Sequence, residues 1–223
     1  MKIIEYADRE MMAIDVANVL AGEIEATLLT HDTASLAVPG GTTPGPVFDG
    51  LCAADLEWDR VHVLPTDERC VPEDHERSNA RLIKERLLVN RASNARFMPL
   101  YYPVDDPEEC RPEIQTMLSP ELPLSVLLLG MGDDMHTASL FAGMPGLDAA
   151  LGDGAPILAV ARPETQPEAR ITLTARILDG AMSKHLLIQG QSKRDALERA
   201  RGLPPEEAPI AAVLDDLTVH WAE

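Results

Sequence analysis

The stretch Leu124-Ser125-Val126-Leu127-Leu128-Leu129-Gly130 decides how the chain is read, because a nearly unbroken apolar run that halts at a glycine is what a strand buried on both faces looks like. Similar short apolar runs are expected to form strands over 2–6, 35–38, 61–64, 157–161, 171–174, 185–189 and 219–221. Between them lie helical stretches. Over 8–29, Met11, Ile14, Ala17, Ala21, Ile24 and Leu28 recur at three- and four-residue steps, the spacing of an amphipathic helix. Further helices are expected over 44–54, where Pro44 suits a first turn, and over 80–89 and 192–200. Strands that alternate with helices predict an α/β fold: a mostly parallel sheet with helices on both faces, doubly wound and Rossmann-like. The segments 103–107 and 152–156 read as surface connections rather than boundaries, and 1–223 is expected to form a single domain.

With 223 residues the chain can bury a full core without disulfide or metal staples. Cys52, Cys70 and Cys110 are scattered, with no C-x-x-C pair, which argues against a disulfide framework or zinc ribbon and fits a reducing compartment. Residues 1–6 lack the apolar core of a signal peptide, and no apolar run is long enough to span a bilayer, so a cytoplasmic protein is expected. A formal net charge of −18 repels nucleic acid and anionic membranes, and neither is an expected partner. The same field repels anionic metabolites, so a site for one must supply its own positive potential.

In open α/β sheets ligands bind at the carboxyl ends of the strands. Three distinctive segments begin at such ends and are expected to converge. The first, Gly40-Gly41-Thr42-Thr43-Pro44, offers a backbone that approaches an anion closely and a helix N-terminus; a plain tight turn explains it equally well. It is neither a Walker A motif nor a G-x-G-x-x-G turn. The second runs from Pro65-Thr66-Asp67-Glu68-Arg69-Cys70-Val71-Pro72 to Ser78-Asn79. Arg69 in it suits paired hydrogen bonds to a carboxyl or carbonyl group, against the plainer alternative of an ion pair with Asp67 or a helix cap.

The third, Gly130-Met131-Gly132-Asp133-Asp134-Met135-His136-Thr137-Ala138-Ser139-Leu140-Phe141, carries one histidine behind a glycine-rich turn. His136 suits general-base work near neutral pH, with Asp134 holding the useful tautomer; a surface or capping histidine is the alternative. No other histidine stands at metal-ligand spacing and no G-x-S-x-G elbow is present, so neither a metal nor a serine nucleophile is expected. Arg170 and Lys193 stand at the ends of predicted elements. With Gly40, Gly41, Thr42 and Thr43 they would complete an anion clamp.

Taken in order, these segments resemble the 6-phosphogluconolactonase family, of the same superfamily as glucosamine-6-phosphate deaminase. The resemblance rests on the 40–44 turn, D-E-R-x-V-P…S-N at 67–79, G-x-G-x-D-x-H-T-A-S-L-F at 130–141, R-I-T-L-T at 170–174, G-x-x-K at 190–193 and Pro209-Ile210-Ala211-Ala212-Val213-Leu214. It implies hydrolysis of a phosphorylated sugar lactone, 6-phosphoglucono-δ-lactone, with no metal or organic cofactor. It also implies that the 40–43 turn, Arg170 and Lys193 hold the phosphate and that His136 activates water. Arg69 or nearby backbone donors would stabilise the oxyanion, and Asp67 would position Arg69 or a sugar hydroxyl. The deaminase relatives carry Asp-Glu-Tyr where this chain has Asp67-Glu68-Arg69. A sugar-phosphate sensor without catalysis is the other alternative. Two positions depart from the family pattern: Met135 stands where Gly is usual, and Ala142 follows Phe141 where Pro is usual. If the usual glycine lies at positive φ, Met135 is strained there.

Overall fold

The computed structural model describes residues 1–164 and 166–223. Seven strands form one sheet in the order β1-β10-β9-β6-β2-β3-β5, every neighbouring pair parallel. They are β1 (Lys2–Glu5), β2 (Ala34–Val38), β3 (Val61–Pro65), β5 (Arg96–Phe97), β6 (Val126–Leu129), β9 (Ser183–Gln189) and β10 (Thr218–Ala222). Successive side chains of a strand point to opposite faces, and both faces are covered. Leu127 and Leu129 of β6 enter one core cluster, whereas Val126 and Leu128 enter the other, where Leu36 and Val38 of β2 also lie. The helices α1 (Arg9–Leu28), α2 (Gly45–Leu51) and α3 (Asn79–Arg86) lie on the second side; α4 (Pro107–Leu118), α5 (Leu147–Leu151), α6 (Ala175–Asp179) and α7 (Gln191–Ala200) supply residues to the first.

The strand order places the site. From β2 the chain winds outward through β3 to β5; from β6 it winds the other way, through β9 to β10. The connections that leave β2 and β6 therefore diverge, and a crevice opens between the carboxyl ends of these two neighbours. Those ends carry the 39–44 and 130–141 segments.

Three features differ from the sequence reading. The stretches 157–161 and 171–174 do form strands, β7 (Leu158–Ala161) and β8 (Arg170–Leu173), but they lie outside the main sheet. With β4 (Asp67–Arg69), which the sequence reads as polar loop, they make a small antiparallel sheet in the order β4-β8-β7. The buried stripe of α1 is also rotated from the expected one. Met12, Val16 and Leu20 are buried, while Met11 and Ile14 are more than half exposed; Ala17, Ile24 and Leu28 belong to both stripes. The helix is apolar on most of its circumference, so spacing alone does not fix its phase. Lastly, α4 begins at Pro107, within the stretch read as a plain connection, with the Asp106 carboxylate capping Glu108 N at 3.1 Å.

Away from the strand ends, a chain of polar groups ties α1 to the β1 edge of the sheet. The Tyr6 hydroxyl donates to Asp15 (2.6 Å) and lies 2.8 Å from His220 Nδ1. His220 Nε2 is 3.0 Å from His185 Nδ1, and His185 Nε2 is 2.8 Å from Glu23. Burial, with the neighbouring His185, pulls the pKa of His220 from 6.5 down to about 4. The folded protein thus keeps this imidazole neutral where the unfolded chain protonates it, so stability is complete above about pH 6.5 and falls as the pH drops toward 4. The loss should reach about 3 kcal/mol. Urea midpoints followed across that window should show the fall, and a His220→Phe protein should show a flatter one; an equally steep fall in the variant assigns the acid limb to other groups.

Candidate active site

The three segments meet. A cleft of about 280 Å³ at the carboxyl ends of β2 and β6 is lined by the 39–44 turn, by Asp67, Arg69 and Asn79, and by the 129–132 turn with His136 and Ala138. Arg170, Lys193 and the end of β9 complete it. Its charged wall holds three cations (Arg69, Arg170 and Lys193) against the carboxylate of Asp67. A locally positive cleft in a strongly acidic chain is what an anionic ligand requires.

His136 is placed by a turn. Met135 N donates to Gly132 O at 3.0 Å and Gly132 N to His136 O at 2.9 Å, which closes the loop. Asp134 Oδ1 then reaches His136 Nδ1 at 2.5 Å, so the i, i+2 spacing does bring the two together. A carboxylate only accepts, so Nδ1 carries the hydrogen, and in the neutral imidazole the lone pair is on Nε2. Burial pushes the Asp134 carboxyl up, but the charge and hydrogen bonds of His136 outweigh it and hold its pKa below the ordinary value. A side chain at position 132 would occupy the place of this pair: a Cβ there falls 2.2 Å from both Asp134 Oδ1 and His136 Nδ1. Asp134 itself is not on the cleft wall; it stands behind His136.

Met135 has φ +65°, the left-handed conformation in which the usual glycine would be free of strain. Its carbonyl accepts from Ile210 N at 3.1 Å, which ties the strained residue to the 209–214 segment. Met135→Gly should therefore fold at least as well as the natural chain and keep its activity. Met135→Ile, with a branched Cβ at positive φ, should be less stable by about 1–2 kcal/mol. Thermal melts of the two variants check the pair; equal melting temperatures contradict it.

In β4, alternation explains three consecutive charged residues. Asp67 and Arg69 point into the cleft, and Glu68 points the other way and is buried. Asp67 does not pair with Arg69 as an internal salt bridge or as its positioning partner. Its Oδ2 accepts from Ser139 Oγ at 2.5 Å and lies 3.8 Å from Arg170 Nη1. Arg69 is instead held through Nη1, which donates to Arg77 O and to Asn79 Oδ1, both at 2.7 Å. Glu68 is no free base. It accepts from the backbone N–H of Arg69, Asn79 and Ala80 at 2.6–2.8 Å and from Ser78 Oγ at 3.3 Å, and so caps α3 from the neighbouring strand.

Arg69 and Arg170 are direct partners across β4 and β8, on the face toward the cleft. Like charges placed opposite each other repel unless an anion lies between them. Burial, together with the Arg69 charge, pulls the pKa of Arg170 down, against the opposing pull of Asp67. The Nε atoms of both arginines are buried and have no hydrogen-bond partner among the described residues. Two guanidinium groups with donors to spare face one cleft.

On the opposite side, Gly41 takes φ +90°. Gly40 lies so close to Asn79 that a Cβ there would fall 1.8 Å from its Oδ1. The amide of Asn79 also donates to Asp67 O at 2.7 Å, so this one side chain joins the glycine turn to both residues of β4 that face the cleft. Thr43 lines the cleft; Thr42 is exposed and does not. Lys193, in the first turn of α7, lies 3.5 Å from Asp133 at the rim. Among the described residues no group of three or more His, Cys, Asp or Glu side chains is placed to hold a metal ion. Sequence reasoning assigned no role to Glu68, Asn79, Ser139 or Phe141. All four stand inside the quoted motifs, but the contacts that give them their parts, such as Ser139 to Asp67 and Glu68 to the start of α3, are not expressed by motif spacing.

The family model described as glucosamine-6-phosphate isomerases/6-phosphogluconolactonase matches residues 7–221. A 6-phosphogluconolactonase of Pseudomonas aeruginosa is 40% identical over 206 residues, covering 91% of this chain and 87% of that protein. One from Mesorhizobium japonicum is 39% identical over 225 residues, 97% of this chain and 93% of the other. Among solved structures, a 6-phosphogluconolactonase from Shewanella baltica superposes with a TM-score of 0.96 at 30% identity, over 100% of this chain and 98% of that one. A monomeric glucosamine-6-phosphate deaminase shares the fold, with a TM-score of 0.83 at 19% identity.

Proposed function

Because the chain belongs to the glucosamine-6-phosphate isomerase/6-phosphogluconolactonase family, we propose that it hydrolyses 6-phosphoglucono-δ-lactone to 6-phosphogluconate, with residues 1–223 acting as one catalytic unit in the cytoplasm. The observation that carries the reading is the Asp134–His136 pair, which leaves Nε2 as the free nitrogen of an imidazole on the wall of a cationic cleft.

In this reading the 40–43 turn, Lys193 and Arg170 hold the 6-phosphate, with Thr43 the threonine within reach of it. His136 Nε2 takes a proton from water as the water oxygen bonds to the lactone carbonyl carbon. The carbonyl oxygen becomes an oxyanion, stabilised by Arg69 from a position fixed by Asn79 and the Arg77 carbonyl. When the intermediate collapses, the bond from the carbonyl carbon to the ring oxygen breaks, and His136 returns its proton to that oxygen. The product is a carboxylic acid, which loses its proton to solvent. The reaction as written consumes only water and the lactone and needs no metal or organic cofactor. Asp67, held by Ser139, faces the cleft and accepts a hydrogen bond from a sugar hydroxyl.

Two incubations test the proposal, one with freshly prepared 6-phosphoglucono-δ-lactone and one with glucosamine 6-phosphate. Acid release above the no-enzyme rate from the first, and no ammonia from the second, is expected. Ammonia released at a catalytic rate would place the chain with the deaminases instead. Neither product forming above background would favour a sensor.

A further inference from the structure

Phe141 lies five residues beyond the base, is buried in the larger core cluster, and touches two cleft residues at once. Its ring stacks on the His136 imidazole with centroids 4.3 Å apart and planes at 28°. The Arg170 guanidinium carbon lies 5.4 Å from the centroid of the same ring. The chain folds back to make this possible. Leu140 N donates to Thr137 O at 3.0 Å, Ala138 takes φ +48°, and Thr137 Oγ1 donates to Gly130 O at 2.9 Å, pinning the turn to the end of β6.

We propose that Phe141 is a positioning residue for the hydrolysis: its ring is the surface against which the base and Arg170 are both set. The proposal rests on the function given above. One hydrogen bond to Asp134 fixes one edge of the imidazole but leaves the ring free to swing about that bond. The flat face of Phe141 removes the swing, and Gly132 supplies the space in which the His–Asp pair sits. Rotation of the imidazole moves Nε2, and a displacement of about 1 Å at a reacting atom can cost about a hundredfold in rate. A π face serves a second purpose. When His136 has taken the proton from water it is a cation, and an aromatic face attracts a cation where an aliphatic side chain does not. Arg170, already a cation, is held against the same ring while its Nη1 lies near Ser139 and Asp67 and its Nη2 donates to Gln166 at 2.6 Å. The ring thereby sets the spacing between the residue that activates water and a residue that holds the anionic substrate.

The test compares Phe141→Leu, which keeps apolar bulk but loses the flat face, with Phe141→Tyr, which keeps the face. Both are assayed well below their melting temperatures, with the folded fraction measured by circular dichroism. Phe141→Leu should lower kcat by at least about tenfold, and Phe141→Tyr should recover kcat to within about threefold of the natural chain. KM should move less than kcat in Phe141→Leu, because the 40–43 turn and Lys193 remain to hold the phosphate. The result that overturns the proposal is a folded Phe141→Leu protein with kcat unchanged, or activity in both variants that merely tracks the folded fraction. Should Phe141→Tyr fail to fold, the kcat of folded Phe141→Leu decides alone. A natural chain that is itself no faster than the uncatalysed reaction overturns the proposed function, and with it the premise, which is a distinguishable outcome.

Discussion

Replacing His136 by alanine is expected to lower kcat for lactone hydrolysis by about two to four orders of magnitude, the usual contribution of a positioned general base. The expectation is specific because, among the described residues that line the cleft, only His136 is an imidazole, and its tautomer is fixed by Asp134. Arg69, Arg170 and Lys193 are donors only, and Asp67 already accepts from Ser139. The side chain of His136 is partly exposed and makes one side-chain hydrogen bond, to Asp134. Its loss should therefore change stability by no more than about 1 kcal/mol, so lost activity and lost folding remain separable. Because the lactone opens slowly without an enzyme, the variant's rate is read against a no-enzyme control run in parallel. KM should change little, since the proposed phosphate contacts are left in place.

The largest stability effect is expected at Glu68. Its carboxylate is buried and accepts three backbone N–H groups and one hydroxyl. Burial pushes its pKa above the ordinary carboxylate value against the pull of those donors, a sign of how dry its surroundings are. In Glu68→Ala the N–H groups of Asn79 and Ala80 at the start of α3, and that of Arg69, lose their acceptor. At about 1–3 kcal/mol for each stranded donor, offset by relaxation and water entry, a net loss of about 3–5 kcal/mol follows. In a chain of this length that lowers the melting temperature by about 10 °C. Glu68→Gln, with one acceptor oxygen in place of two, should fall between the two proteins. Activity should drop as well, since Asp67 and Arg69 flank the lost anchor in β4. A Glu68→Ala protein that melts within 1–2 °C of the natural chain would contradict the capping account.

Much of this site was legible in the sequence, and what was not has a physical reason. The nearly unbroken run at 124–129 correctly implied a strand covered on both sides, and strand ends implied convergence of the 39–44, 65–79 and 130–141 segments. The strain at Met135 followed from the family pattern, in which glycine is usual at that position. The first two inferences need only short runs of sequence. Two strands of the small sheet, β7 and β8, were legible as strands; their separate pairing was hidden because the third, β4, consists of Asp67, Glu68 and Arg69. Three charged residues look like loop until β8 pairs with them from about a hundred positions away. The same remote pairing sets Arg69 beside Arg170, sends Asp67 to Ser139 and turns Glu68 inward, none of which spacing along the chain can express. The phase of α1 failed for another reason: too many of its residues are apolar for the stripe to be unique. No helix among the described residues is long and apolar enough to cross a membrane.

The claim at the centre of the account is that a cationic cleft and one oriented imidazole together speed the opening of a phosphorylated lactone. It is met most directly by the rate of acid release from freshly prepared 6-phosphoglucono-δ-lactone, set beside glucono-δ-lactone without the phosphate. The account predicts a rate well above the uncatalysed one for the first. It predicts kcat/KM lower by at least about tenfold for the second, which forgoes the charge-assisted bonds to Arg170 and Lys193. Hydrolysis of the phosphorylated lactone no faster than in buffer, or equal kcat/KM for the two lactones, would contradict it.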